Sequence, residues 1–143
     1  MDSRELLKEF LLDFPSGLSK FEQTALETGL DIHISISEIH IINKIGPDGC
    51  QKMNSIAKKL GVTQATLTVA CDKLETKDLI KRQRDPDDKR AVIVRLTPSG
   101  LVAYGFHQAL MDNLAELCIS GLTPAELDKL KLKINTIYDR LNY

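Results

Sequence analysis

From Ile80 to Thr97 the chain reads Ile-Lys-Arg-Gln-Arg-Asp-Pro-Asp-Asp-Lys-Arg-Ala-Val-Ile-Val-Arg-Leu-Thr, two strand-forming runs joined by a polar tip rich in cations. Guanidinium and ammonium groups carried on such a hairpin suit the phosphates and groove edges of a nucleic acid. The charge distribution supports that chemistry. Residues 52–95 hold eleven Lys and Arg against six Asp and Glu, net +5, while the remainder holds 8 against 14, net −6. A chain with net charge −1 therefore gathers its positive field on one segment, as phosphate binding requires.

These cations need a frame. Upstream, Asn54 is placed to cap a helix from Ser55 to Leu60, with Ile56, Ala57 and Leu60 inward and Lys58 and Lys59 outward. Gly61 supplies a turn, and Thr63 caps a second helix through Lys77. At 100° per residue Leu67, Ala70, Cys71 and Leu74 share one side of it, and Ala65, Thr68, Val69 and Asp72 the other. Helix, turn, helix and basic hairpin together predict a winged helix-turn-helix, with duplex DNA as the expected partner. Gln64, near the helix N-terminus, suits bidentate pairing with adenine, and the Thr68 and Val69 methyls suit contact with thymine. Strands are expected from Leu79 to Arg84 and from Ala91 to Leu96, with Asp85 to Arg90 as a protruding tip. Arg90 is the residue expected in a neighbouring minor groove, held by Asp88, with Lys89 and Arg84 on phosphates. Asn54, Ser55, Thr63, Ala65, Thr66 and Lys73 complete the candidate DNA-binding set.

The flanks are helical. Leu6, Leu7, Phe10, Leu11 and Phe14 line one helical face, Pro15-Ser16-Gly17 interrupts it, and Leu18 to Thr28 resumes it, as one kinked helix or two. Ser35 and Glu38 form a capping-box pattern before a helix ending at Gly46-Pro47-Asp48-Gly49. Thr97-Pro98 opens a long helix that Gly121 ends, and Thr123-Pro124-Ala125-Glu126 opens a last one carrying Leu127, Leu130, Ile134, Ile137, Tyr138 and Leu141. The expected fold is mainly α with a small β-wing: residues 1–34 as an N-terminal dimerisation region, 35–100 as the winged helix-turn-helix, and 101–143 as C-terminal dimerisation helices.

Asp88-Lys89-Arg90, followed by Val92, Val94 and Leu96-Thr97-x-x-Gly100 and preceded by Leu74-Glu75 and Leu79-Ile80, resembles the MarR family of transcriptional regulators. The resemblance implies a homodimer on a palindromic operator, acting as a repressor under a small, amphiphilic effector. Two positions depart from the family pattern. Asp78 stands where glycine is usual, at a position needing positive φ, and Val69 stands where a basic residue is frequent. Zinc-responsive relatives place ligands on the helix before the reading head and early in the long helix, which makes His40 and His107 candidates for a ligand site. Met111 occupies the place of a second histidine four residues after His107, so neither a metal nor a cofactor is expected. The segment 37–46 with Thr66-Leu67-Thr68 is similar to the branch that represses fatty-acid synthesis with an acyl carrier protein as co-repressor, an alternative reading.

Other classes find less support. No Gly-x-Ser-x-Gly, phosphate-cradling glycine loop or complete metal set is present, so an enzyme is not expected. A non-catalytic winged-helix interaction module remains the alternative of another class. No apolar run approaches the roughly 20 residues of a membrane span, and Cys50, Cys71 and Cys118 are too few and too dispersed for a disulfide framework. A cytoplasmic protein with reduced thiols, not engaging a membrane, is expected.

Overall fold

A computed structural model describes residues 1–141; the last two residues of the 101–143 segment assigned to dimerisation lie outside the described residues. The order is α1 (Ser3–Gly29), α2 (Ile36–Ile45), β1 (Gln51–Lys52), α3 (Met53–Leu60), α4 (Gln64–Thr76), β2 (Ile80–Arg84), β3 (Val92–Leu96), α5 (Pro98–Ile119) and α6 (Pro124–Leu141). Two compact units result, Met1–His107 and Gln108–Tyr143, with the division falling inside α5.

Local signals account for most helix ends. Asp2 and Glu5 form a capping box that starts α1, which runs for 27 residues with Pro15 inside it, so the apolar segments on either side of that proline form one helix. Ser35 and Glu38 do the same for α2, and Gly46 at φ 70° stops it. The β-branched residues of α2 stay helical because Ile39, Ile42 and Ile45 recur on one side and are essentially fully buried. At α3 the sequence reading is corrected. The helix starts at Met53, the cap position is Lys52 with no side-chain cap bond, and Asn54 lies within the first turn. Lys52 is held instead by strand β1, which the sequence reading did not contain and which pairs antiparallel with β3 through Gln51↔Val94 and Lys52↔Ile93.

The sheet order is β1-β3-β2, with Ile80↔Leu96, Arg82↔Val94 and Arg84↔Val92 in register across the hairpin. Asp78, the residue before this hairpin's first apolar pair, adopts φ 57°, the left-handed conformation expected there. Thr97 closes the base of the wing: its hydroxyl donates to the Asp78 carbonyl at 2.6 Å and accepts from the Gly100 N–H at 3.1 Å. The first unit's core joins Ile39, Ile42, Ile45, Ile56, Leu67, Cys71, Leu74, Leu79, Ile80 and Val94, with Leu26 contributed by α1. In the second unit Thr123 and Glu126 form the expected reciprocal cap, the Thr123 N–H donating to the Glu126 carboxylate at 2.8 Å. Among the described residues no helix is long and apolar enough to cross a membrane.

Candidate nucleic-acid interface

Helix α4 buries Leu67, Cys71 and Leu74 and exposes Gln64, Ala65, Thr66, Thr68, Val69, Asp72 and Lys73. Val69, an apolar side chain, is 58% exposed. Thr63 caps the helix by accepting from the Thr66 N–H at 3.1 Å, and its own hydroxyl donates to the Thr66 hydroxyl at 2.9 Å. The Thr68 hydroxyl donates back along the helix to the Gln64 carbonyl at 2.8 Å. Behind this face Cys71 lies 3.9 Å from the Met53 sulfur. Burial, with the carboxylates of Asp72 and Glu75, pushes its thiol up to about 11 against a smaller opposing pull from Arg82, so the sulfur is an inert core group.

The wing is fastened to α4 by a residue absent from the sequence-based set. Arg82 donates through Nε to Glu75 at 3.0 Å and through its terminal nitrogen to Asp72, while its backbone N–H donates to the same Glu75 carboxylate at 3.2 Å. Burial works against the Arg82 charge, but the hydrogen bonds and charges of Glu75 and Asp72 outweigh it and raise the guanidinium above its ordinary value. The spacing of Asp72 and Glu75, three apart on a helix, is compatible with this lock, but the inward side of Arg82, opposite Val94, is set by the strand register.

Between α4 and the wing lies an open cleft of about 500 Å³. It gathers Asn54, Gln64, Thr68, Asp88 and Arg90 of the candidate set, together with Arg82. Lys73 borders a separate shallow depression beside Asp72, Thr76 and Lys77. Ser55 is half-buried in α3, while Arg84 and Lys89 are exposed. Within the protruding tip one residue turns inward. Asp85 is buried, its carboxylate accepting the Asp87 N–H at 2.9 Å and its N–H donating to the Ala91 carbonyl at 3.0 Å. Asp88 accepts the Arg90 N–H at 3.1 Å and sits 3.6 Å from the Arg90 guanidinium, a loose contact on a side chain that is 95% exposed.

His40 and His107 meet a third group that no local spacing announced. Glu22, reaching from α1 across 85 residues of sequence, receives His107 Nε2 on its Oε1 at 2.7 Å, and His40 Nε2 lies 3.5 Å from the same oxygen. Glu22 and His107 are buried and His40 is exposed. The other ring nitrogen of His107 lies 2.8 Å from the Asn43 side-chain amide, whose carbonyl oxygen is buried without a hydrogen-bond partner. One donor atom from each of Glu22, His40 and His107 falls within 4.8 Å of the others.

Residues 34–92 match the MarR family. An uncharacterized HTH-type transcriptional regulator of Bacillus subtilis, YhjH, is 29% identical over 103 residues, 72% of this chain and 55% of that protein. The match thus spans about half the length of this curated relative. Among solved structures, Streptococcus pneumoniae FabT in complex with DNA aligns over 98% of both chains at 26% identity with a TM-score of 0.88. A variant of S. aureus MepR bound to an oligodeoxyribonucleotide aligns over 94% of this chain and 97% of its own, at 26% identity and a TM-score of 0.61.

Proposed function

We propose, for a chain whose residues 34–92 match the MarR family, the role of a sequence-specific DNA-binding transcriptional regulator, acting as a homodimeric repressor on a palindromic operator. The observation that carries this reading is the shared cleft. Helix α4 and the wing present Gln64, Thr68 and Arg90 to one opening, with Arg90 almost wholly exposed at its edge. A helix end able to enter a major groove and an arginine poised for the neighbouring minor groove are the two contacts such a protein needs. Two-fold pairing follows from uncovered apolar stripes. In α1, Leu6, Leu7, Phe10, Leu11 and Phe14 are 42 to 62% exposed, with Phe10 and Phe14 stacked at 4.5 Å. A second copy is the natural cover, and its symmetry requires half-sites about one turn, roughly 34 Å, apart.

The experiment is an operator titration by fluorescence anisotropy at two salt concentrations, with a site selected from random duplexes. Wild type should bind with a steep salt dependence, and Arg90→Ala should weaken binding by about 1 to 3 kcal/mol while the dimer persists. Binding that is absent, or indifferent to both salt and Arg90→Ala, would favour the non-catalytic interaction module instead.

The effector end of the proposal rests on the buried polar cluster. Glu22, His40 and His107 form a two-histidine, one-carboxylate donor set suited to a divalent transition metal. Turning the Asn43 amide would place its unpartnered carbonyl on the inner nitrogen of His107 and free the outer one as a ligand. The cluster joins α1, α2 and α5, so a bound ion would couple the helical flanks to the reading head. Zinc titration read by thermal shift, wild type against His107→Gln, tests it; no shift in wild type removes the metal as effector. The acyl carrier protein co-repressor stays the second reading, favoured by the likeness of segment 37–46 to the fatty-acid branch, and a pull-down with acylated and unacylated carrier protein decides it.

A further inference from the structure

The direction of one hydrogen bond narrows what α4 can read, on the premise that it is the groove-entering helix. Because the Thr68 proton is committed to the Gln64 carbonyl, its oxygen faces outward with lone pairs only. It can accept from the amino group of adenine or cytosine but cannot donate to guanine O6 or N7. The next residue, Val69, is 58% exposed and wholly apolar, and Ala65, one turn before it on the same face, adds a further methyl. Neither has a polar partner to offer, and both match the 5-methyl group that marks thymine in the major groove.

Guanine is read by a free guanidinium or ammonium group. The only cation within α4 is Lys73, in its last turn, and the guanidinium nearest the helix in the cleft, Arg82, is tied to Asp72 and Glu75. Asp72 also adds an exposed carboxylate in the third turn of α4, which opposes a phosphate contact there. We infer that the first two turns of α4 read thymine, with Val69 packed on its 5-methyl group and Thr68 accepting from an adenine or cytosine amino group beside it. This deepens the regulator reading and rests on it. It also gives the valine at position 69, where a basic residue is frequent in the family, a task that a basic side chain would not perform.

Replacing thymine by deoxyuridine removes the methyl group and leaves the base pairing unchanged, which makes it the decisive probe. After selection of a site from random duplexes, each thymine of one half-site is replaced in turn and the affinity remeasured. At one position at least, wild type should lose about four-fold, the value of one methyl group returned to water. Val69→Ala should bind the parent duplex more weakly and be indifferent to that same replacement. Thr68→Val should lose its preference for a base carrying a major-groove amino group, adenine or cytosine, at the neighbouring position, while Thr68→Ser should keep it. Equal binding of all deoxyuridine duplexes, or selection of sites without thymine beneath the first two turns, overturns the inference while salt-dependent binding leaves the regulator reading standing. Absence of salt-dependent duplex binding overturns both.

Discussion

Arg82 should contribute to DNA affinity without touching DNA, and removing it separates that role from a direct contact. In Arg82→Ala two charge-assisted bonds vanish, one to Glu75 at 3.0 Å and one to Asp72. The arginine is 20% exposed but its partners are 43 and 61% exposed, so solvent screens both pairs. Exposed pairs are worth about 0.2 to 1 kcal/mol each, which puts the stability loss at about 0.4 to 2 kcal/mol. A second effect follows for binding. Two carboxylates on α4 lose their counter-charge, and each, at about 10 Å from a phosphate in water, opposes binding by about 0.4 kcal/mol. Together they weaken operator binding by about four-fold at low salt, and the effect fades as the screening length shrinks from about 10 Å at 0.1 M to 3 Å at 1 M. Urea unfolding and operator anisotropy across a salt series measure the two terms. Adding Asp72→Asn to Arg82→Ala should restore about half the affinity loss, since it removes one of the two exposed carboxylates. If Arg82→Ala lost as much affinity as Arg90→Ala, with stability unchanged and no recovery from Asp72→Asn, Arg82 would be a direct DNA contact and the lock would be refuted.

Three further outcomes are expected. Burial pushes the Glu38 carboxyl up, but bonds from Lys77 at 2.9 and 3.0 Å and from Ser35 outweigh this and hold it below its ordinary value of 4.5. Its stabilisation is therefore complete above pH 4.5 and is lost as pH falls below that value towards the folded one. Glu38→Gln should cost about 1 to 3 kcal/mol at pH 7, with the gap to wild type closing on acidification in urea melts. Gly100→Ala would drive a Cβ into the backbone carbonyl of Leu79, and should destabilise by about 1 to 3 kcal/mol in the same assay. Leu11→Glu, on the 62% exposed stripe of α1, should shift sedimentation towards the single chain at micromolar concentration while the far-UV helical signal persists.

What was legible in the sequence were the features whose cause lies within a few residues. The boxes Ser35 with Glu38 and Thr123 with Glu126 start helices because each side chain satisfies the other residue's backbone. The wing's two strands were legible for the same reason, through alternation and a Pro-broken tip. The left-handed conformation of Asp78 was legible only through the family resemblance, from the glycine usual at that position. The unread features are those made by residues brought together only by folding. Asn54 reads as a cap in isolation, but β1 pairs with β3 and fixes Lys52 at the cap position instead. Asp85 belongs to a polar run, yet the closing turn buries it against Asp87 and Ala91.

The same division separates contact residues from the residues that aim them. Thr68 and Val69 are visible as an exposed face from the helical period alone, whereas the acceptor-only character of Thr68 depends on the direction of a bond to the Gln64 carbonyl. Arg82 reads as one more wing cation until Asp72 and Glu75 are seen to engage it. Counting positive charges therefore overstates the cations free to meet phosphate, because a guanidinium already held by two carboxylates adds little net field at the DNA. Neutralising Arg84 or Lys89, both exposed, should each lower the slope of log affinity against log salt by about 0.9 if each binds one phosphate, whereas Arg82→Ala should lower it by less, through the fading of its low-salt loss and not through a lost phosphate contact. Equal slopes for Arg82→Ala and Lys89→Ala would mean that the wing's cations act interchangeably, and the distinction between aiming and contacting residues would fail.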